Sequence, residues 1–99
     1  MKFELSNENS QTNLKLVDEI VASDKGEFSD LISKVVEPGN PIIIDFSKLD
    51  FMDSAGLGFL LNLWQQTNEK GMEVKVTGAS GEVKELLELS DFHILFKFE

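Results

Sequence analysis

The segment that most constrains this fold is Ile42-Ile43-Ile44-Asp45-Phe46, a short, nearly continuous apolar run rich in β-branched residues. Such side chains are stiff at χ1 and fit a pleated surface better than a helix. A run without polar alternation reads as a central strand covered on both faces, as in a parallel sheet. A strand of that kind needs pairing partners and a layer of helices, so the rest of the chain must supply both.

The flanking segments have the right periods. Phe3 to Leu5 and Leu14 to Ile20 read as two strands joined by the polar turn Asn7-Glu8-Asn9-Ser10, with Leu14 and Leu16 alternating with Lys15. From Gly26 onward the period changes: Phe28, Leu31, Ile32, Val35 and Val36 fall at helical spacing until Pro38-Gly39 stops the helix. Leu57, Leu60, Leu61 and Trp64 mark one side of an amphipathic helix ending near Gly71. Val74 and Val76 give the next strand. A helix from Gly81 turns Val83, Leu86, Leu87 and Leu89 inward, and Ile94, Phe96 and Phe98 alternate as a final strand. The expectation is a single α/β domain over residues 1–99, a sandwich of helices on a mixed central sheet.

Composition narrows the chemistry. There is no cysteine, which removes disulfides, thiolate metal sites and cysteine nucleophiles. Eighteen acidic residues face nine basic ones, all lysine, for a net charge of -9. That balance repels nucleic acid and anionic membrane surfaces, and the missing arginine is the side chain best suited to gripping phosphate bidentately. A nucleotide-hydrolysing enzyme is disfavoured on these terms; an acidic interaction module with no cofactor, meeting a partner of positive surface, is the more natural reading. The start MKFELSNENS has no apolar leader core and no apolar run reaches the roughly 18 residues of a membrane span, so direct membrane insertion is not expected and the cytoplasm is the default location.

The segment that carries the chemistry runs from Asp45 to Gly58. It leaves the central strand, turns, and enters a helix with Asp53 or Ser54 at the N-cap, where either side chain can accept an orphan backbone N–H. Gly56 and Gly58 in the first turns each cost roughly 0.8–1 kcal/mol relative to alanine, so something must approach the backbone there, either a neighbouring strand or a docking partner.

Met52-Asp53-Ser54-Ala55-Gly56-Leu57-Gly58, at that strand-to-helix junction, resembles the signature of STAS-domain anti-sigma-factor antagonists. The order of elements is similar through nearly the whole chain, including Gly78-Ala79-Ser80 after the fourth strand. The resemblance implies a non-enzymatic switch. In that family the serine of Asp-Ser-x-Gly is phosphorylated by an anti-sigma factor that doubles as a serine kinase; the unphosphorylated antagonist binds that factor and releases the sigma factor, and a PP2C-type phosphatase resets the switch. Carried over by position, Ser54 is the phosphoacceptor, and Asp53, Gly56, Leu57 and Gly58 meet the partner. Phosphorylation adds about -1.5 to -2 charges, which a helix start tolerates. Two departures stand out. The glycine-glutamate-hydrophobe-aspartate turn common after the second strand appears as Asp18-Glu19-Ile20-Val21, and the last helix usual in relatives is lacking. Shorter relatives include subunits of lipid-transport ABC systems, and a non-catalytic subunit of such an assembly is the alternative function.

Plainer readings stand beside these. Ser54 alone is an ordinary N-cap serine. Asp45, Asp50 and Asp53 lie on one segment rather than converging from several strand ends, which counts against a Mg²⁺ pocket and a phosphotransfer enzyme. His93 is the only histidine, a packing or surface residue beside Phe92. Gly78-Ala79-Ser80-Gly81 lacks the Gly-Lys-Ser/Thr of a phosphate loop, and Ser80 reads as a helix cap. Trp64, Phe92, Phe96 and Phe98 read as core, or in part as a second contact surface if left uncovered.

Overall fold

The computed structural model describes residues 1–99. Strands β1 (Lys2–Glu8) and β2 (Gln11–Ile20) form an antiparallel hairpin. Only Asn9 and Ser10 lie in the turn, with φ of 52° and 60°, the left-handed pair that a two-residue hairpin turn requires. The strands are therefore longer than the apolar residues alone indicate. Thr12, fully buried, donates to Asn7 Oδ1 across the ladder at 2.7 Å, which carries the pairing past the last apolar residues into the polar tip.

After β2 come a single 3₁₀ turn (Ala22–Asp24), α1 (Lys25–Val36), β3 (Ile42–Met52), α2 (Ser54–Glu69), β4 (Val74–Thr77), α3 (Gly81–Leu89), a short helix α4 (Phe92–Leu95) and β5 (Lys97–Phe98). The five strands lie in chain order, with every pair after the first parallel. Successive right-handed crossovers advancing in one direction place their helices on one face of a sheet. The burial pattern agrees: Leu14, Leu16, Ile42, Ile44, Phe46, Val74 and Val76 are buried, while Asn13, Lys15, Ile43, Asp45, Lys75 and Thr77 between them are only half-buried. This corrects the expectation that both faces of β3 are covered. Ile43 is shielded by its neighbours in a polar open face rather than by a second helical layer.

The predicted helical faces hold in α1, where all five periodic residues are buried. In α2 the stripe is rotated. Ala55, Gly56, Phe59, Leu60, Leu63 and Thr67 face inward, Leu57 and Trp64 flank them, and Leu61 is 43% exposed. Both stripes satisfy helical spacing. The observed one wins because α2 must meet α1 as well as the sheet, with the rings of Phe28 and Phe59 packed at 5.0 Å between centroids and tilted 55° to each other. Leu89, expected inside, is 79% exposed at the end of α3.

The C-terminal segment also departs from expectation. Phe92 and Phe96 are both buried and lie 6.0 Å apart, four residues apart in sequence, so they favour a helical turn over a strand. Asp91, at φ 62°, starts that turn, Ile94 points to solvent at 71% exposure, and β5 is left with two residues. Trp64 and Phe98 pack half-buried against the core, and His93 is exposed. No helix is long and apolar enough to cross a membrane.

Candidate functional site

The site is built at the end of β3. Along this strand the buried positions run Ile42, Ile44, Phe46 and then Leu49 and Met52, so the period changes from two to three. The pairing with β2 shows why: Lys15 opposes Asp45 but Val17 opposes Lys48, and Asp18 opposes Leu49 but Glu19 opposes Phe51. Each step leaves one extra residue in β3, the signature of a β-bulge. At the first bulge Asp45 Oδ1 accepts from the Ser47 amide at 2.8 Å. Burial alone would raise the Asp45 carboxyl, but the amide and hydroxyl of Ser47, with Lys15 and Lys48 nearby, outweigh it and hold the group below its ordinary range. Gly78, at φ +74°, leaves room for this bulge, since a Cβ there would lie 2.9 Å from Ser47 N and 3.0 Å from Asp45 Oδ1. Its role is close packing.

The second bulge delivers Met52 to the core and Asp53 to the N-cap of α2. Asp53 fastens three elements. Its Oδ1 accepts from the Ala55 amide at 2.8 Å, its Oδ2 accepts from the Ala22 amide at 3.2 Å, and its own amide donates to Ile20 O at 3.2 Å. The end of β2, the approach to α1 and the start of α2 are thereby held side by side. Nearby, Asp24 Oδ2 accepts from the Val21 amide at 2.8 Å.

With Asp53 as the cap, Ser54 is the first residue of α2; it is exposed, and its hydroxyl makes no hydrogen bond within the chain. The two glycines that follow answer different needs. Gly56 is buried, and a Cβ on it would meet Met52 at 2.8–3.2 Å, so it lets α2 close down on its own strand. Gly58 is exposed, with nothing within 4 Å of its Cβ position. It borders a groove of about 490 Å³ between α1 and α2, whose lining includes Phe28, Ile32, Phe59, Ser54 and Lys25. Leu57 is half-buried beside the core.

Asp50 is exposed, Asp45 is committed to its bulge and Asp53 to its cap, and no group of three acidic or histidine side chains could hold a metal ion. Ser80 stands at the N-cap of α3 without a side-chain hydrogen bond. Asp18, expected in a turn after the second strand, lies within β2 at its second register shift against β3 and takes φ +64°, the left-handed conformation that glycine adopts most readily. This is the position at which the family turn carries glycine. Lys25, Phe28 and Ile32 were not legible as site residues. They lie more than twenty residues from Ser54, and only the packing of α1 on α2 brings them there.

The family model for the STAS domain matches residues 4–99. The chain belongs to the STAS family. Among its relatives, a STAS-domain-containing protein of Pseudomonas aeruginosa is 28% identical over 71 residues, 72% of this chain and 70% of that one. An anti-sigma F factor antagonist of Paenibacillus polymyxa is 39% identical over 49 residues, 50% of this chain and 42% of that one. Among solved structures, the phosphorylated form of the Bacillus cell fate determinant SpoIIAA superposes with a TM-score of 0.75 at 20% identity, covering 99% of this chain and 91% of that one. This STAS domain therefore has a SpoIIAA-like fold, with β3, Asp53 and α2 presenting Ser54 at the surface.

Proposed function

We propose that this STAS domain is an anti-sigma-factor antagonist switched by phosphorylation of Ser54. The observation that carries the reading is the free, exposed Ser54 hydroxyl at the start of α2, with the capping task already taken by Asp53. A serine needed as a cap would have its oxygen engaged; this one is available to a kinase. The named relationship to an anti-sigma F factor antagonist and the likeness to SpoIIAA support the same role. In the unphosphorylated state the exposed surface of Ser54 and Gly58 would meet an anti-sigma factor and displace its sigma factor. The partner, acting as a serine kinase, would transfer the terminal phosphoryl of a nucleoside triphosphate to the Ser54 oxygen, with loss of the hydroxyl proton and departure of the diphosphate. The product carries about -1.5 to -2 additional charges against a surface built to meet a neutral hydroxyl, and the complex separates. A PP2C-type phosphatase would restore the hydroxyl. Asp53, Leu57 and Gly58 would then contribute to partner contact, while Gly56 sets the depth of α2.

The test combines binding with site mapping. Captured partners are identified by mass spectrometry using the unphosphorylated protein, Ser54→Ala and Ser54→Asp as baits. Wild type and Ser54→Ala should retain an anti-sigma factor, and Ser54→Asp should retain less. Phosphate mapped to another residue, or Ser54→Asp binding as tightly as wild type, would remove the switch while leaving the fold assignment intact.

A further inference from the structure

Resting on the reading of Ser54 as phosphoacceptor, a second residue of the switch stands on α1. Ser54 opens α2 and Lys25 opens α1, and both line the groove between the two helices. Their starts are tied together, because Asp53, the residue before Ser54, accepts from the amide of Ala22 at 3.2 Å. Ala22 is three residues before Lys25 along a 3₁₀ turn, which advances only about 2 Å per residue. Lys25 is the one charged residue lining the groove, whose other walls are apolar or neutral. It is also a cation without an anion. Lys2, Lys15, Lys75 and Lys97 each pair with a carboxylate; Lys25, like Lys34, Lys48, Lys70 and Lys84, makes no ion pair, and of these unpaired lysines it is the one that lines the groove.

We propose that Lys25 receives the phosphate carried by Ser54, pairing with it across the mouth of the α1–α2 groove. The compact ammonium on a four-carbon stem is suited to a phosphate as a point charge, and the pair would lie between Ser54 and Lys25, which both line the groove. The phosphorylated state then differs from the free state in shape as well as charge: the groove lined by Phe28, Ile32, Phe59 and Gly58 is bridged between Ser54 and Lys25. The nearby carboxylates are engaged elsewhere. Asp24 accepts from the Val21 amide and pairs with the Met1 amino group at 2.9 Å, Glu27 pairs with the same amino group at 2.9 Å, and Asp53 is held by the amides of Ala22 and Ala55.

The experiment installs phosphoserine at position 54 during translation, so that it needs no kinase, and follows the second ionisation of the phosphate by phosphorus NMR. With Lys25 present the phosphate should ionise about half a pH unit lower than in Lys25→Met, the size expected of a partly solvated ion pair. Lys25→Arg should keep the lowered value. Lys34→Met, at the far end of α1, should leave it unchanged. Equal titration in the parent and Lys25→Met would overturn the assignment, as would an equal rise in Lys34→Met, which would mark a bulk charge effect. Whether cells phosphorylate Ser54 is answered separately by mass spectrometry, so failure of the switch and failure of the Lys25 pairing are distinguishable.

Discussion

Replacing Asp53 by alanine should cost far more stability than replacing its neighbour Ser54. The carboxylate accepts the Ala55 amide at 2.8 Å as the cap of α2 and the Ala22 amide at 3.2 Å from the segment before α1. Loss of an N-cap costs about 0.5–2 kcal/mol, and loss of a second, partly solvated hydrogen bond adds about 0.5–1 kcal/mol, for a total near 1–3 kcal/mol. For a domain of this size each kcal/mol corresponds to about 4–8 °C, so Asp53→Ala should lower Tm by about 8–16 °C at the middle of that range. Ser54→Ala removes an exposed hydroxyl with no internal partner and should stay within about 0.5 kcal/mol of wild type. Asp53→Asn keeps one acceptor oxygen and should fall between the two. Urea unfolding followed by the fluorescence of Trp64, the single tryptophan, measures all three. If Ser54→Ala proves as damaging as Asp53→Ala, the assignment of the cap to Asp53 is wrong, and with it the argument that the serine is free for modification.

The paired glycines should separate in the same assay. Gly58→Ala meets nothing within 4 Å and should gain up to about 1 kcal/mol from helix propensity, whereas Gly56→Ala must displace Met52 and should show a net loss. Gly58→Leu should remain folded yet bind its partner more weakly in a pull-down; an unfolded variant would show that this glycine serves internal packing. Asp45 titrates below its ordinary 3.8 in the folded protein, so the unfolded chain takes up the proton first. The stability it contributes is complete above about pH 4 and is lost as pH falls through the lowered value, and Asp45→Asn should flatten acid unfolding monitored by circular dichroism in that range. The purified protein alone should turn over no ATP, and saturable turnover abolished by Asp45→Asn or Asp53→Asn would favour an enzyme instead.

Elements whose apolar residues fit a single period were legible in the sequence. α1 buries the five residues its period selects, and the motif from Met52 to Gly58 falls at the strand-to-helix junction that its cap residues and glycines indicate. Legibility failed where two periods overlap. Ile94, Phe96 and Phe98 fit a strand, yet Phe92 and Phe96 fit a helical turn, and burial of the two rings settles it. Leu57, Leu61 and Trp64 compete with Phe59 and Leu63 for the inward face of α2, and only the neighbouring α1 decides between them. The Ile42-Ile43-Ile44 run looks two-sided because Ile43, between Asn13 on β2 and Lys75 on β4, is half-sheltered within the sheet itself without a second helical layer. The groove beside Ser54 has no local signal at all, since one wall comes from another helix.

The two bulges in β3 make the passage from strand to helix a matter of odd and even. Each extra residue turns the following side chains over to the opposite side of the sheet; two in succession restore the original sense, so Met52 points inward just as Ile42 does. A chain that lost a single residue between Ser47 and Phe51 would therefore present Ser54 through an inverted junction, with Met52 offered to water. A chain that lost both extra residues would recover the inward methionine on a shorter, straighter strand. Length changes in this stretch should be accepted in twos and refused singly, a rule set by counting rather than by the identity of any side chain.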